Sequence, residues 1–224
     1  MNLDYKIVYS DRKTLDISVQ RDRSIVVRAP LGADESKIHA AIEKKRMWLF
    51  EKTHHPQKYK VGIYPKEFVS GESIMFLGKL YKLSVEKTDF KGVKFDNRFE
   101  ISKSSQPNAS AIFKEWYKQQ AEEKIIPKVE YFATHLGVRF KNIKVLDLKY
   151  RWGSCTPKDN LNFNWRLVKA PMYVIDYIIV HELVHLLEVG HTDRFWNIVK
   201  TQVPKFNKAK EWLKENGGLL ERDF

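Results

Sequence analysis

The residues of this chain best suited to chemistry are His181, Glu182 and His185, in the run His181-Glu182-Leu183-Val184-His185, with His191 after five further residues. On an α-helix each residue turns about 100° and rises about 1.5 Å, so His181 and His185 fall about 40° apart on one face, one turn above the other, where both can reach one metal ion. Glu182 is one step off that face and flanks the ion. This is the spacing of zinc hydrolases: imidazole nitrogens hold the ion, the ion lowers the pKa of a water in its open position, and the flanking carboxylate accepts that water's proton. Three protein ligands plus water make a catalytic site, four protein ligands a structural one.

The element that must carry these groups runs from Pro171 to Val189, where nearly every residue is apolar, the pattern of a helix buried on most sides. His181, Glu182, His185 and Glu188 share one sector of its wheel and Asp176 stands opposite. Unpaired ionisable groups in such a setting cost several kcal/mol, roughly, to bury, and a shared metal removes most of that cost. Pro171 suits the first turn. Gly190 suits a left-handed helix terminus that would swing His191 back toward the metal, and Thr192 and Asp193 can cap a following helix with Phe195 and Trp196. The alternative third ligand is a glutamate from a later helix, Glu211 or Glu215, but both lie in a lysine-rich stretch that reads as a solvated amphipathic helix. The metzincin arrangement has the same spacing to its third histidine, yet requires Gly where Glu188 stands and a downstream methionine; Met1, Met47, Met75 and Met172 all precede His191.

Around this centre lie Arg151-Trp-Gly-Ser-Cys155, then NLNFNWRLVKAP, VIDYIIVHELVHL and a His191-x-x-x-Phe195-Trp196 run, preceded by DISVQRDRSIVVRAP from Asp16 and GESIMFLGKLYKL from Gly71. Together these resemble the YgjP-like metallopeptidase family over almost the whole chain. The resemblance implies a small β-rich N-terminal half, a zincin-like C-terminal half, and a zinc site made of HExxH and a third histidine; it implies no particular substrate. In zincin-like folds an edge strand beside the site accepts an extended chain through backbone hydrogen bonds, so a peptide is the expected substrate. Arg151 and Ser154 are the candidate substrate-binding groups, with an ion pair to Asp147 or Asp176 as the alternative role for Arg151. Cys155 is read as a small buried residue, since a zinc hydroxide already supplies the nucleophile.

A chain of 224 residues with 43% hydrophobic residues can bury a substantial core. The fold class expected is α+β, divided near the linker-like stretch 103–110 into a β-rich N-terminal domain with one long helix (1–105) and a metallohydrolase domain (106–224). Strands are expected near 5–10, 14–20 and 24–29, a helix over 35–52, a meander over 73–102 with turns at Gly78, Gly92 and Asn97, and a helix from Ala111 that Pro127 kinks or restarts and Gly137 closes. Strands Ile143–Trp152 and Leu161–Val168, joined by the turn at 156–160, form a hairpin leading into the metal helix. With no apolar leader and no membrane-spanning run, the expected location is cytoplasmic and no membrane partner is expected. The single cysteine excludes an internal disulfide.

The net charge of +12 is spread along both halves, and nothing resembles a nucleic-acid-binding signature, so no specific nucleic-acid binding is expected. The basic field can still draw small anionic substrates. The reading is therefore a Zn2+-dependent hydrolase, one ion per chain, acting on an amide. Two alternatives are a metal-dependent phosphoanhydride hydrolase acting on nucleotides and a metal-stabilised binding module without turnover. Oligomeric state is not legible.

Overall fold

The computed structural model describes residues 4–19, 24–54, 66–148 and 151–221. It is an α+β protein, with six α-helices and three small sheets among the described residues, arranged in two compact units, Met1–Val61 and Gly62–Phe224. None of these helices is long and apolar enough to cross a membrane.

In the first unit, β1 (Tyr5–Ser10), β2 (Asp16–Val19) and β3 (Ile25–Pro30) form a sheet of order β1-β3-β2, with β1 parallel and β2 antiparallel to β3. Alternate residues Ile17, Val19, Ile25, Val27 and Ala29 face a core closed by Ile38, Ile42 and Leu49. The long helix expected here is two, α1 (Glu35–Lys44) and α2 (Arg46–His54), broken at Lys45, whose φ of −103° and ψ of 9° leave the helical region. Residue 20 of the second expected strand lies outside the described residues.

The second unit starts with β4 (Ser73–Phe76), β5 (Lys79–Glu86), β6 (Lys94–Phe95) and β7 (Phe99–Ser102). The turns fall where glycine and asparagine suggested, but the strands do not form a meander: the order is β4-β5-β7-β6, with β7 parallel to β5. The two-residue β6 folds back on β7 and leaves β7 to bond β5. A 3-10 turn over Lys103–Asn108 then leads into α3 (Ala109–Leu136), 28 residues without a break. Pro127 sits on its exposed side, where water can take the carbonyl that the proline leaves unbonded, so the helix continues through it without a restart. Gly137 ends the helix at φ 65°, as a left-handed glycine terminus requires.

Sequence spacing and pairing disagree over the next sheet. Its strands are β8 (Asn142–Leu146), β9 (Gly153–Cys155) and β10 (Asn160–Asn164), in the order β8-β10-β9. The hairpin is β9–β10, while β8 pairs parallel with β10; residues 149–150 of the first expected strand lie outside the described residues. Nor does β10 run on to Val168: Trp165–Lys169 is a 3-10 turn capped by the Asn164 side chain. Arg166 is wholly buried in it, paired with Asp147 at 2.6 Å and lying over the Trp165 ring.

That turn delivers α4 (Met172–Val184), followed by α5 (Asp193–Gln202) and α6 (Phe206–Glu221). The start of α4 is clamped by the β4–β5 turn. Leu77 N–H donates to the Val168 carbonyl at 3.0 Å and Gly78 N–H to that of Lys169 at 2.7 Å. Gly78, at φ 79°, lies so close to the Pro171 ring that a Cβ there would overlap it. Pro171 is the residue just before the helix instead of its first turn, and α3 is tied to α4 by Lys128–Asp176 at 2.8 Å.

Candidate metal centre

The imidazoles of His181 and His185 project from the end of α4. The helix stops at Val184, earlier than the apolar run suggests, but His185 keeps helical dihedrals (φ −63°, ψ −17°), so the two rings still share a face, 5.0 Å apart. The exit then tightens, with Leu186 and Leu187 N–H donating three residues back. The Glu188 carbonyl lies 3.2 Å from His185 Nδ1, which orients this ring and places the proton on Nδ1, leaving the Nε2 lone pair free.

His191 arrives from the loop before α5. Gly190 is not left-handed, so the expected glycine reversal is not how the chain returns. What seats His191 is the helix that follows it: Thr192 caps α5 by accepting from Phe195 N–H at 3.3 Å. Phe195 is wholly buried, and its ring lies 5.0, 4.8 and 4.8 Å from those of His181, His185 and His191. Trp196 stacks on His191, and Phe206 of α6 stacks on Trp196. One nitrogen from each of the three histidines lies within 4.8 Å of the others, and His191 Nε2 is 3.1 Å from His181 Nε2. Two nitrogens sharing a zinc at about 2.0–2.1 Å sit roughly 2.9–3.4 Å apart at near-tetrahedral angles, so the spacing fits an ion of this kind. No fourth His, Cys, Asp or Glu joins the group among the described residues, and Glu211 and Glu215 are exposed on α6 outside it.

The electrostatics disfavour protonation of His181 and His191. Burial, then the neighbouring His185, His191 and Lys210, push His181 down to about 3, and His191 is lowered by burial, His185 and Lys210. A metal ligand must offer a lone pair, and a deprotonated imidazole has one available.

Glu182 is 7% exposed and turns toward β9, an outer strand of its sheet. Its carboxylate accepts from the Cys155 backbone N–H and feels the Arg151 charge; burial nevertheless pushes it up to about 7. Tyr177, one turn before His181, is pushed up to about 12 by burial and by Glu182, and burial, Glu182 and Asp159 raise the Cys155 thiol. That thiol is protonated and a poor nucleophile.

Arg151 is exposed, and the carboxylates that could have paired it structurally are engaged elsewhere: Asp147 with Arg166 and Lys114, Asp176 with Lys128. Its backbone carbonyl is pinned by the buried Asn164 side chain at 3.2 Å. Ser154 alternates away from the face of Gly153, and its hydroxyl accepts from Asn162 Nδ2 at 3.3 Å, so the structure does not bring it to Glu182.

Sequence reasoning missed Lys210. Its stretch reads as solvated, yet Nζ lies 4.5 Å over the Trp196 ring and its charge reaches His181 and His191. The available signal was Phe206 four residues earlier, on the same helix face.

A family model described as YgjP-like, metallopeptidase domain, matches residues 13–216. No curated protein sequence matches the chain. Among solved structures, the crystal structure of the metallopeptidase zymogen of Pyrococcus abyssi abylysin is similar to 45% of this chain and 98% of that one, at 21% identity and a TM-score of 0.38.

Proposed function

The chain belongs to the YgjP-like metallopeptidase family and is a metal-dependent hydrolase, and from that premise we propose that it is a zinc peptidase with His181, His185 and His191 as ligands and Glu182 as general base. The observation that carries this reading is the convergence of three imidazoles beside a buried carboxylate held by an outer strand. When bound, zinc supplies a Lewis acid that polarises a carbonyl and lowers the pKa of water. The protein does the rest. Phe195 and Trp196 lock the imidazoles in place, and Glu188 orients His185.

Glu182 takes one proton from the attacking water as the oxygen–carbon bond forms, then returns it to the departing nitrogen as the carbon–nitrogen bond breaks. A carboxyl near pH 7 in affinity is well placed for both transfers. The substrate would lie along β9. Trp152 C=O and Thr156 N–H bond β10, so the backbone groups of Gly153 point to the open edge, where an extended peptide can add. Arg151, at the entrance to that edge, would hold a carboxylate or the developing negative charge. On this reading the C-terminal half is zincin-like and the protein works in the cytoplasm.

The test is zinc-loaded protein against panels of peptides and of nucleotides, with Glu182→Gln as the blank. Peptide cleavage by wild type, lost by at least about 10²-fold in Glu182→Gln at unchanged metal content, is the expected result. Nucleotide hydrolysis with peptides untouched overturns the substrate class, and wild-type rates in the variant overturn the base.

A further inference from the structure

The Arg151–Cys155 run is conspicuous in the sequence, yet neither the ligand set nor the general-base role explains its glycine. On β9, Gly153 is buried against α4. A Cβ built on it would lie 2.6 Å from Glu182 Cγ, 2.8 Å from Oε1 and 3.0 Å from Cδ, so the Glu182 side chain passes through the space a larger residue would fill. Two residues on, the Cys155 N–H donates to the same carboxylate. That N–H is free to do so because the even-numbered residues along and flanking β9 make the ladder to β10: Thr156 N–H bonds Asn160 at 2.9 Å, and Trp152 C=O accepts from Asn164 N–H at 2.8 Å. The Cys155 N–H therefore points away from β10, where the Glu182 carboxylate accepts it.

We propose that Gly153 is a positioning residue for Glu182: together with the Cys155 N–H it makes the outer strand a mould that holds the carboxylate in a single pose. The inference rests on Glu182 being the general base, but the contact itself can be tested without turnover. A glycine inside a strand marks a close approach by another group, and here that group is the side chain whose position sets the reaction geometry. With Ala at 153, Glu182 is the movable partner. It loses the Cys155 N–H and swings aside, while the three imidazoles, braced by Phe195 on the other side, stay in place.

The experiment is a double-mutant cycle. Gly153→Ala, Glu182→Ala and the double variant are compared in melting temperature, zinc content and cleavage of fluorescein-labelled casein. Gly153→Ala should keep its zinc, keep KM within about twofold and lose kcat by about 10²-fold, the cost of roughly 1 Å of misplacement. It should also melt about 2–12 °C lower than wild type, from overpacking. Glu182→Ala removes the atoms that collide, so in that background Gly153→Ala should cost no further stability. The proposal is overturned if Gly153→Ala keeps wild-type kcat, or if it lowers melting, or prevents folding, equally in both backgrounds. Should Gly153→Ala fold only when Glu182 is Ala, the mould is supported. Turnover retained by Glu182→Ala would remove the general-base reading, and the melting cycle would still decide the contact.

Discussion

At the residue scale the centre combines two opposite displacements. His181 is held down to about 3 from an ordinary 6.5, and Glu182 up to about 7 from 4.5, both by burial first. The linkage signs differ. Between pH 3 and 6.5 the unfolded chain binds more protons at His181 than the native one, so this group's contribution to stability is lost as pH falls through that window. Between pH 4.5 and 7 the native chain binds more protons at Glu182, so its contribution is present in acid and lost as pH rises. In chelator-treated protein the two slopes oppose each other from 4.5 to 6.5. Glu182→Gln removes one of them. Its melting temperature should therefore fall more steeply than that of wild type on acidification across this window, with a difference on the order of 1 kcal/mol per pH unit at most. Thermal melts of both proteins at several pH values check this, and parallel slopes would falsify the assignment of the carboxyl as a neutral buried acid.

At the element scale each part of the centre depends on a neighbour. α4 orients two imidazoles, α5 seats the third through Thr192 and Phe195, and β9 holds the carboxylate. α6 contributes a cation. Lys210, steadied over Trp196, repels protons from His181 and His191, and it repels a divalent ion for the same reason. Lys210→Glu should then tighten zinc binding by about tenfold at low ionic strength and by less as salt is added. Chelator competition at two salt concentrations measures it. Weaker binding in the variant would mean that Lys210 supports the site through packing.

At the scale of the whole molecule, the helix that carries His181 and His185 is packed into the core of the second unit. Val174, Ile175, Ile178, Ile179, Leu183 and Val184 of α4 lie in one buried cluster with Phe113, Tyr117 and Ile125 of α3 and with Phe76 and Phe99 of the first sheet of that unit. On the proposed reading, an ion held by His181, His185 and His191 would tie the end of α4 to the loop before α5. Zinc should accordingly raise the melting temperature, by an amount that grows with free ion as RT ln(1 + [L]/Kd), about 2.7 kcal/mol at 100 times Kd. Differential scanning calorimetry with zinc and with chelator reads this directly, and identical melting in the two would remove the ion from the folded-state energetics.

The helical spacing of His181 and His185, the flanking Glu182, the cap at Thr192 and the glycine stop at Gly137 were all legible in the chain, because each is a matter of a few residues and one helical period. The α+β class and the positions of most strands followed from alternation. Pairing did not. A parallel β8–β10 pair, an outer β9 and the β5–β7 pair depend on which strands meet, and alternation is blind to that. His191 was placed correctly beside the others, but through Phe195 and not through Gly190. Gly153 against Glu182, and Lys210 near His181, join residues some thirty positions apart. Local periodicity carries the pairing of His181 with His185, whereas the pose of the carboxylate and the charge around the site arise only when distant backbone and side chains are brought into contact.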